Sequence, residues 1–234
     1  MPASRVAQIR WRRQISKQWN LLLAIEQPKT DYTPLDSAKI VESPVPKIVV
    51  KPKLSFKNGH WSNSFLLKPI VYTNKDFSTK EKLHAWGFTS SLSLNLPDRG
   101  FRPLGLKKRT VNVFGIIGSG TQGDVNDFGG LGYEAFPKDE STLETLLYYG
   151  GYLSYGFVFR KRWSSTFVYS YLYQEEPTTT SAIFKHSHYL AGNATLAVNR
   201  YLTIGTELLY GIKRNHDDSN GSAVRLLSVV RLLF

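Results

Sequence analysis

The chain has 234 residues and a net charge of +12, from 30 Lys and Arg against 18 Asp and Glu, with 13 Tyr, 13 Phe, 5 Trp and no Cys. The absence of Cys excludes disulfides, Cys metal sites and a thiol nucleophile, while the basic balance points to an anionic partner such as a polyanion, a membrane surface or small solutes. No run of about 18 apolar residues occurs, which excludes a transmembrane helix. A β-barrel stays open, because its strands alternate lipid-facing and lumen-facing residues and average to a mean hydropathy as modest as the −0.26 of this chain.

The N-terminus is basic, with Arg5, Arg10, Arg12 and Arg13, and the apolar run Leu21–Ile25 that follows is too short for the core of a secretory signal. An exported protein needs such a signal, so the expectation is that an N-terminal part lies outside this chain. Residues 1–18 are Arg-rich and acid-poor, which also suits an amphipathic transit helix. The alternation of Gln8, Arg10, Arg12 and Gln14 against Ile9, Trp11 and Ile15 favours a strand.

Period-two alternation then runs through the chain and predicts about eleven strands: 5–15, 19–28, 47–58, 61–73, 83–97, 108–119, 143–160, 163–175, 187–199, 202–214 and 223–234. In 47–58, Ile48, Val50, Pro52, Leu54 and Phe56 oppose Lys47, Val49, Lys51, Lys53, Ser55 and Lys57. In 61–73, Phe65, Leu67, Pro69 and Val71 oppose Ser62, Ser64, Leu66 and Lys68. In 83–97, Trp86, Phe88, Leu92 and Leu94 oppose Ala85, Gly87, Thr89 and Ser91. In 202–214, Leu202, Ile204, Leu208, Tyr210 and Ile212 oppose Thr203, Gly205, Glu207, Gly211 and Lys213. In 223–234, Leu226, Val230, Leu232 and Phe234 oppose Arg225 and Arg231. Many segments reach the roughly 9–11 residues that a tilted strand needs to cross a bilayer.

Connections alternate in length. Short ones fall at 16–18, 58–60, 161–162 and 200–201, and long ones at 29–46, 74–82, 120–142, 176–186 and 215–222, with 98–107 of intermediate length in a short slot. Short periplasmic turns and long external loops are the habit of outer-membrane barrels, which in bacteria have an even strand number. If the chain ends on the periplasmic side, 5–15 is an even-numbered strand, and an odd number of strands precedes it in the whole protein. Trp19, Trp61, Trp86 and Trp163 near strand ends suit the aromatic girdles of such barrels. The expected fold is therefore an all-β, transmembrane, antiparallel up-and-down β-barrel, present here as a single unit over 1–234 and as part of a larger barrel. The competing expectation is a soluble basic β-domain that packs its apolar face on a core and binds nucleic acid or an acidic polymer.

Under the barrel reading the polar faces form the lumen. The expected pore-lining set is Arg10, Arg12, Lys47, Lys51, Lys53, Lys57, Lys68, Glu207, Lys213, Arg225 and Arg231. Such a cationic wall concentrates anions, and rings of Lys or Arg are what anion-selective constrictions use. Glu207 is expected to pair with one of the cations. No catalytic constellation is visible, and no metal or cofactor is expected. His186 and His188 lack a carboxylate at fixed spacing. Gly118–Gly123 lacks the Lys and helix of a phosphate loop and reads as a flexible strand end.

The C-terminal residues carry a resemblance. The run 205–214 (GTELLYGIKR), a polar loop, Ala223-Val224-Arg225 and the terminal Phe234 are similar to the end of the DcaP-like family of outer-membrane porins. Gly151-Tyr152, Lys161-Arg162-Trp163 and Tyr169-Ser170-Tyr171 resemble the strand pair before it, and the stretch 24–31 (AIEQPKTD) an earlier segment. The match is firm from about 143 to 234. It departs at Leu232, where an aromatic is commoner, and in 98–107. The resemblance implies a homotrimer of sixteen-stranded barrels in the bacterial outer membrane, a periplasmic coiled coil in some members, and small anions such as dicarboxylates as solutes. It also implies contact with outer-membrane lipid and lipopolysaccharide, no nucleic acid partner, and a C-terminal strand ending in Phe234 that resembles the signal read by the barrel-assembly machinery.

Overall fold

A computed structural model describes residues 7–27, 31, 40–42, 45–73, 80–97, 106–125, 127–128, 131–139, 142–159, 162–180 and 182–233. Its strands are β1 (Gln8–Gln14), β2 (Trp19–Glu26), β3 (Ile40–Glu42), β4 (Lys47–Phe56), β5 (Gly59–Thr73), β6 (Lys80–Leu96) and β7 (Leu106–Ser119). They continue with β8 (Phe136–Pro137), β9 (Leu143–Glu144), β10 (Leu147–Phe159), β11 (Trp163–Gln174), β12 (Phe184–Ala197), β13 (Leu202–Asn215) and β14 (Asn220–Leu232). No helix among the described residues is long and apolar enough to cross a membrane.

Eleven of these strands form one antiparallel meander in the order β1-β2-β4-β5-β6-β7-β10-β11-β12-β13-β14, with β3 pairing β5 off this path and β8 pairing β9 as a separate hairpin. Each strand of the meander neighbours its successor in sequence, as period-two segments joined by turns must when no helix intervenes. The sheet is open, with β1 and β14 at its edges. The eleven expected strands are all present with ends moved by a few residues, and 8–14 is a strand, not a helix. Two connections differ from expectation. Strands β13 and β14 extend toward each other, leaving only His216–Ser219 between them, where Asp217 Oδ1 accepts from the Ser219 N–H at 3.0 Å. The stretch after β7, expected as a long external loop, does not extend away from the strands among its described residues. It folds back against the sheet.

Register fixes the faces. One row runs from Gln14 through Asn20, Lys53, Ser62, Ser91, Phe114, Tyr152, Ser170, Tyr189 and Gly211 to Ala223. Paired residues point the same way, so this row marks a single face, here the inner wall. The opposite, outer wall carries Ile9, Ile48, Phe65, Leu67, Val113, Leu153, Phe167, Leu190, Leu208 and Leu226. All of these are exposed, Phe65 by 51%, Leu67 by 60%, Phe167 by 56% and Leu190 by 52% although their strands lie within the sheet. The buried clusters lie on the inner side, where the described residues between 120 and 146 pack.

Candidate functional site: the inner wall and its inserted segment

Residues 120–146 reach the inner wall through a turn that only Gly makes cheaply: Gly120 ends β7 at φ +70. A Cβ on Gly118 would lie 2.7 Å from the Trp86 carbonyl oxygen and 2.8 Å from the Tyr148 hydroxyl, so the missing side chain lets the strand and the segment meet. Thr121 Oγ1 lies 2.8 Å from the Tyr148 hydroxyl and 3.2 Å from the Trp86 carbonyl oxygen, and Gln122 donates through Nε2 to the Leu146 carbonyl at 3.0 Å. Thr121 and Gln122 are both buried. Gly118–Gly123 is thus a fixed entry into the segment, contrary to the flexible strand end expected from its glycines.

The segment then crosses the wall. Phe128 is fully buried among Tyr148 of β10, Leu172 of β11 and Phe184 of β12, its ring edge-on to Tyr148 at 5.6 Å and to Phe184 at 5.1 Å. A bulge between Phe184 and His186 turns the Phe184 side chain inward while His186 points outward. Ala135 and Leu143 pack on Tyr72 of β5, whose hydroxyl accepts from the Leu143 N–H at 3.2 Å, and Phe136 and Leu146 pack on Ile183.

Charge anchors its other side. The Lys68 ammonium of β5 donates to Glu134 Oε1, with the two side chains 0% and 1% exposed. Glu134 also accepts from the Asp31 N–H at 2.9 Å through Oε2. Burial holds the Glu134 carboxyl above the ordinary carboxylate range, against the opposing pull of Lys68 and the Asp31 N–H. The Lys47 ammonium of β4 sits 2.7 Å from Asp124 and 3.1 Å from Glu26 of β2. The described part of the segment therefore lies across the wall from β4 to β12.

The residues expected to line a pore fall as follows. Arg10, Arg12, Lys47, Lys51, Lys53, Lys68, Glu207, Lys213, Arg225 and Arg231 all occupy inner-wall register positions. Lys57 does not, since it lies past the end of β4 in the turn before Gly59. Lys47 and Lys68 are buried and paired, as above. Arg10, Arg12 and Lys51 are exposed and Lys53 half-buried, and none of the four forms an ion pair with a carboxylate among the described residues. They form a patch, because Arg12 and Lys51 flank Leu22 from either side and Lys53 follows beside Asn20. Two strand spacings separate Arg12 from Lys51, about 10 Å at the backbone. Lys213 stands over the Phe184 ring, 5.8 Å from its centre. Glu207 forms no ion pair among the described residues, contrary to expectation. Phe234 lies outside the described residues.

The outer wall carries aromatic bands. Trp19 and Trp61 both pair with Leu54 beside the short turns. Toward the opposite end, Tyr149, Tyr171 and Tyr173 cluster with His186 and His188, Tyr149 to Tyr173 at 5.0 Å and Tyr171 to His188 at 5.0 Å between ring centres. The two His rings are edge-on at 5.5 Å, and His188 Nδ1 lies 2.9 Å from the Tyr169 hydroxyl. These His belong to an aromatic belt, and no group of three or more potential metal ligands occurs among the described residues.

The contacts that sequence reading did not find are those of Asp124, Phe128 and Glu134. Their partners lie up to 103 residues away in the chain. The available signal was composition: Phe128, Tyr133, Phe136, Leu143 and Leu146 make 120–146 too apolar for a loop surrounded by water.

No protein-family model and no curated protein matches the chain. Among solved structures, the crystal structure of the outer membrane channel DcaP of Acinetobacter baumannii is similar with a TM-score of 0.80 at 13% identity. The similarity covers 100% of this chain and 64% of that one, so the chain spans less than two thirds of the channel's length.

Proposed function

We propose that this chain, which has the fold of the outer membrane channel DcaP, is part of an outer-membrane porin through which small solutes, preferentially anions of dicarboxylate type, diffuse passively. The observation that carries the reading is the inversion of the usual burial pattern. The outer wall exposes Phe65, Leu67, Phe167 and Leu190 side by side with aromatic belts, while the charged residues face inward. In water each such side chain would forgo about 1.5–3 kcal/mol of burial, and monomeric soluble proteins rarely leave so large an apolar patch uncovered. Lipid removes the conflict. A soluble domain binding nucleic acid or an acidic polymer does not account for this wall.

The anion preference rests on Arg10, Arg12, Lys51 and Lys53, which carry positive charge into the inner space without a neutralising carboxylate among the described residues. Charge of one sign on a low-dielectric wall raises the local concentration of counter-ions. The whole protein, in this reading, is a homotrimer whose outer walls meet outer-membrane lipid and lipopolysaccharide and whose Phe234 belongs to the signal for the barrel-assembly machinery. It needs no cofactor and performs no catalysis. Reconstitution of the full-length protein in planar bilayers tests this. The reversal potential in a KCl gradient is expected to show anion preference. Cation preference would remove the selectivity, and absence of conductance would remove the porin.

A further inference from the structure

The outer face of the sheet carries an apolar depression close to a group of cations. We propose that the two form a binding site for one lipid of the outer leaflet, a phosphorylated disaccharide of the lipid A type, with an acyl chain in the depression and a phosphate at Arg214. This rests on the porin reading given above, which sets that face against lipid.

The depression is a shallow cavity of about 400 Å³ whose lining includes Phe88, Ser90, Gly115, Ile117, Tyr149 and Tyr171. Register builds it. The row Ser90, Gly115, Gly151 and Tyr171 crosses β6, β7, β10 and β11 with two adjacent glycines at its centre, and the next outer-wall row, Phe88, Ile117, Tyr149 and Tyr173, raises apolar and aromatic side chains along its border. A Cβ on Gly115 would meet nothing within 4 Å, whereas one on Gly151 would lie 2.2 Å from the Phe114 carbonyl oxygen. The space above Gly115 is therefore open, and Gly151 cannot fill it. In lipid an apolar surface gains nothing by leaving water, but an unfilled gap forfeits the dispersion contacts that a flexible acyl chain supplies.

The cations continue the same register toward the long connections. The row that holds Tyr149 and Tyr173 runs on through His186 to Arg214, so Arg214 shares the outer face. Its guanidinium lies 2.9 Å from Asp218 in a pair open to solvent, and such surface pairs contribute little and yield readily to a stronger anion. Lys185, in the bulge beside His186, forms no ion pair among the described residues. Positive charge at an aromatic belt, bordering an apolar groove, complements an amphiphile with an anionic head. The spacing selects the amphiphile. The depression lies at β7 and β10, and Arg214 stands on β13, three strand spacings from β10, or about 14 Å at the backbone. A glycerophospholipid holds its phosphate directly above its chains and does not cover both places. A disaccharide with a phosphate at each end and acyl chains beneath it does.

Native mass spectrometry of the full-length protein in detergent micelles, titrated with lipid A or with phosphatidylglycerol, measures retention of each. The original protein is expected to hold lipid A about tenfold more tightly than phosphatidylglycerol. Gly115→Trp, which fills the depression, is expected to weaken lipid A binding about fivefold, and Gly115→Ala to leave it unchanged. Arg214→Ala with Lys185→Ala, on the rim and away from the depression, is expected to weaken lipid A binding about tenfold while phosphatidylglycerol binds as before. Equal binding of the two lipids, or retention of lipid A by either the Gly115→Trp form or the rim form at the original strength, overturns this inference alone. A full-length protein that stays monodisperse in water without detergent overturns the porin reading and this inference with it.

Discussion

At the scale of single residues, the same side-chain type serves opposite ends according to its partners. Lys68 is fully buried and needs Glu134, while Lys51, seventeen positions earlier on the neighbouring strand, is exposed and has no carboxylate partner among the described residues. Removing one partner of a buried ion pair costs about 3–5 kcal/mol, because the remaining charge is stranded away from water. Glu134→Gln is therefore expected to loosen residues 120–146 by several kcal/mol, seen as faster amide hydrogen exchange at Ala135 and Phe136 than at Leu190 in the strand wall. Equal protection in both proteins would mean that the pair contributes nothing to docking. Phe128→Ala is expected to act in the same sense at the other attachment, by about 3–5 kcal/mol for a fully buried aromatic. In the exposed turn at 216–219, Ser219 donates to Asp217 and holds its carboxyl below the ordinary range. A lowered carboxylate value means that the turn gains stability above the usual Asp range and loses it as the pH falls through the lowered value. Protection of the Ser219 amide should follow that course in an acid titration, and a pH-independent amide would contradict it.

At the scale of elements, strands were legible in the sequence because one geometric rule governs them. A strand's side chains alternate, so Lys47, Lys51 and Lys53 opposite Ile48 and Val50 disclose both the strand and its two faces before any partner is known. The neighbour order followed from the connections. The inserted segment was not legible by that rule, since its described residues form only a 3-10 turn at Gln122–Asp124 and the short β8 and β9, and its anchoring ion pairs are made at long range. Its glycines and polar residues look like those of an external loop, and Lys47 and Lys68 look like lumen cations until Asp124 and Glu134 are placed beside them. Lys57 was misplaced for a simpler reason. Alternation does not announce where a strand stops, and this one stops at Phe56 so that the chain can turn. The outer faces give a direct expectation. Leu67→Arg, in the apolar wall, is expected to destabilise the lipid-embedded protein by about 2–4 kcal/mol, whereas Ser64→Arg on the inner wall of the same strand is expected to be far milder. Folding titrations in lipid vesicles measure both, and equal effects would contradict the assignment of faces.

At the scale of the whole molecule, the account depends on which solvent each face of the sheet meets. The fold is that of an outer membrane channel over the full length of this chain, and its apolar wall and buried inner segment form an arrangement that water alone does not favour. Because the chain has no Cys, single Cys positions can be introduced and labelled without background. With a fluorophore placed in turn at Phe65, Leu67, Ser64 and Lys51 of the full-length protein in lipid vesicles, quenchers carried on lipid tails should act at 65 and 67, and a water-soluble quencher at 64 and 51. Water access at 65 and 67, with lipid contact at 64 and 51, would contradict it.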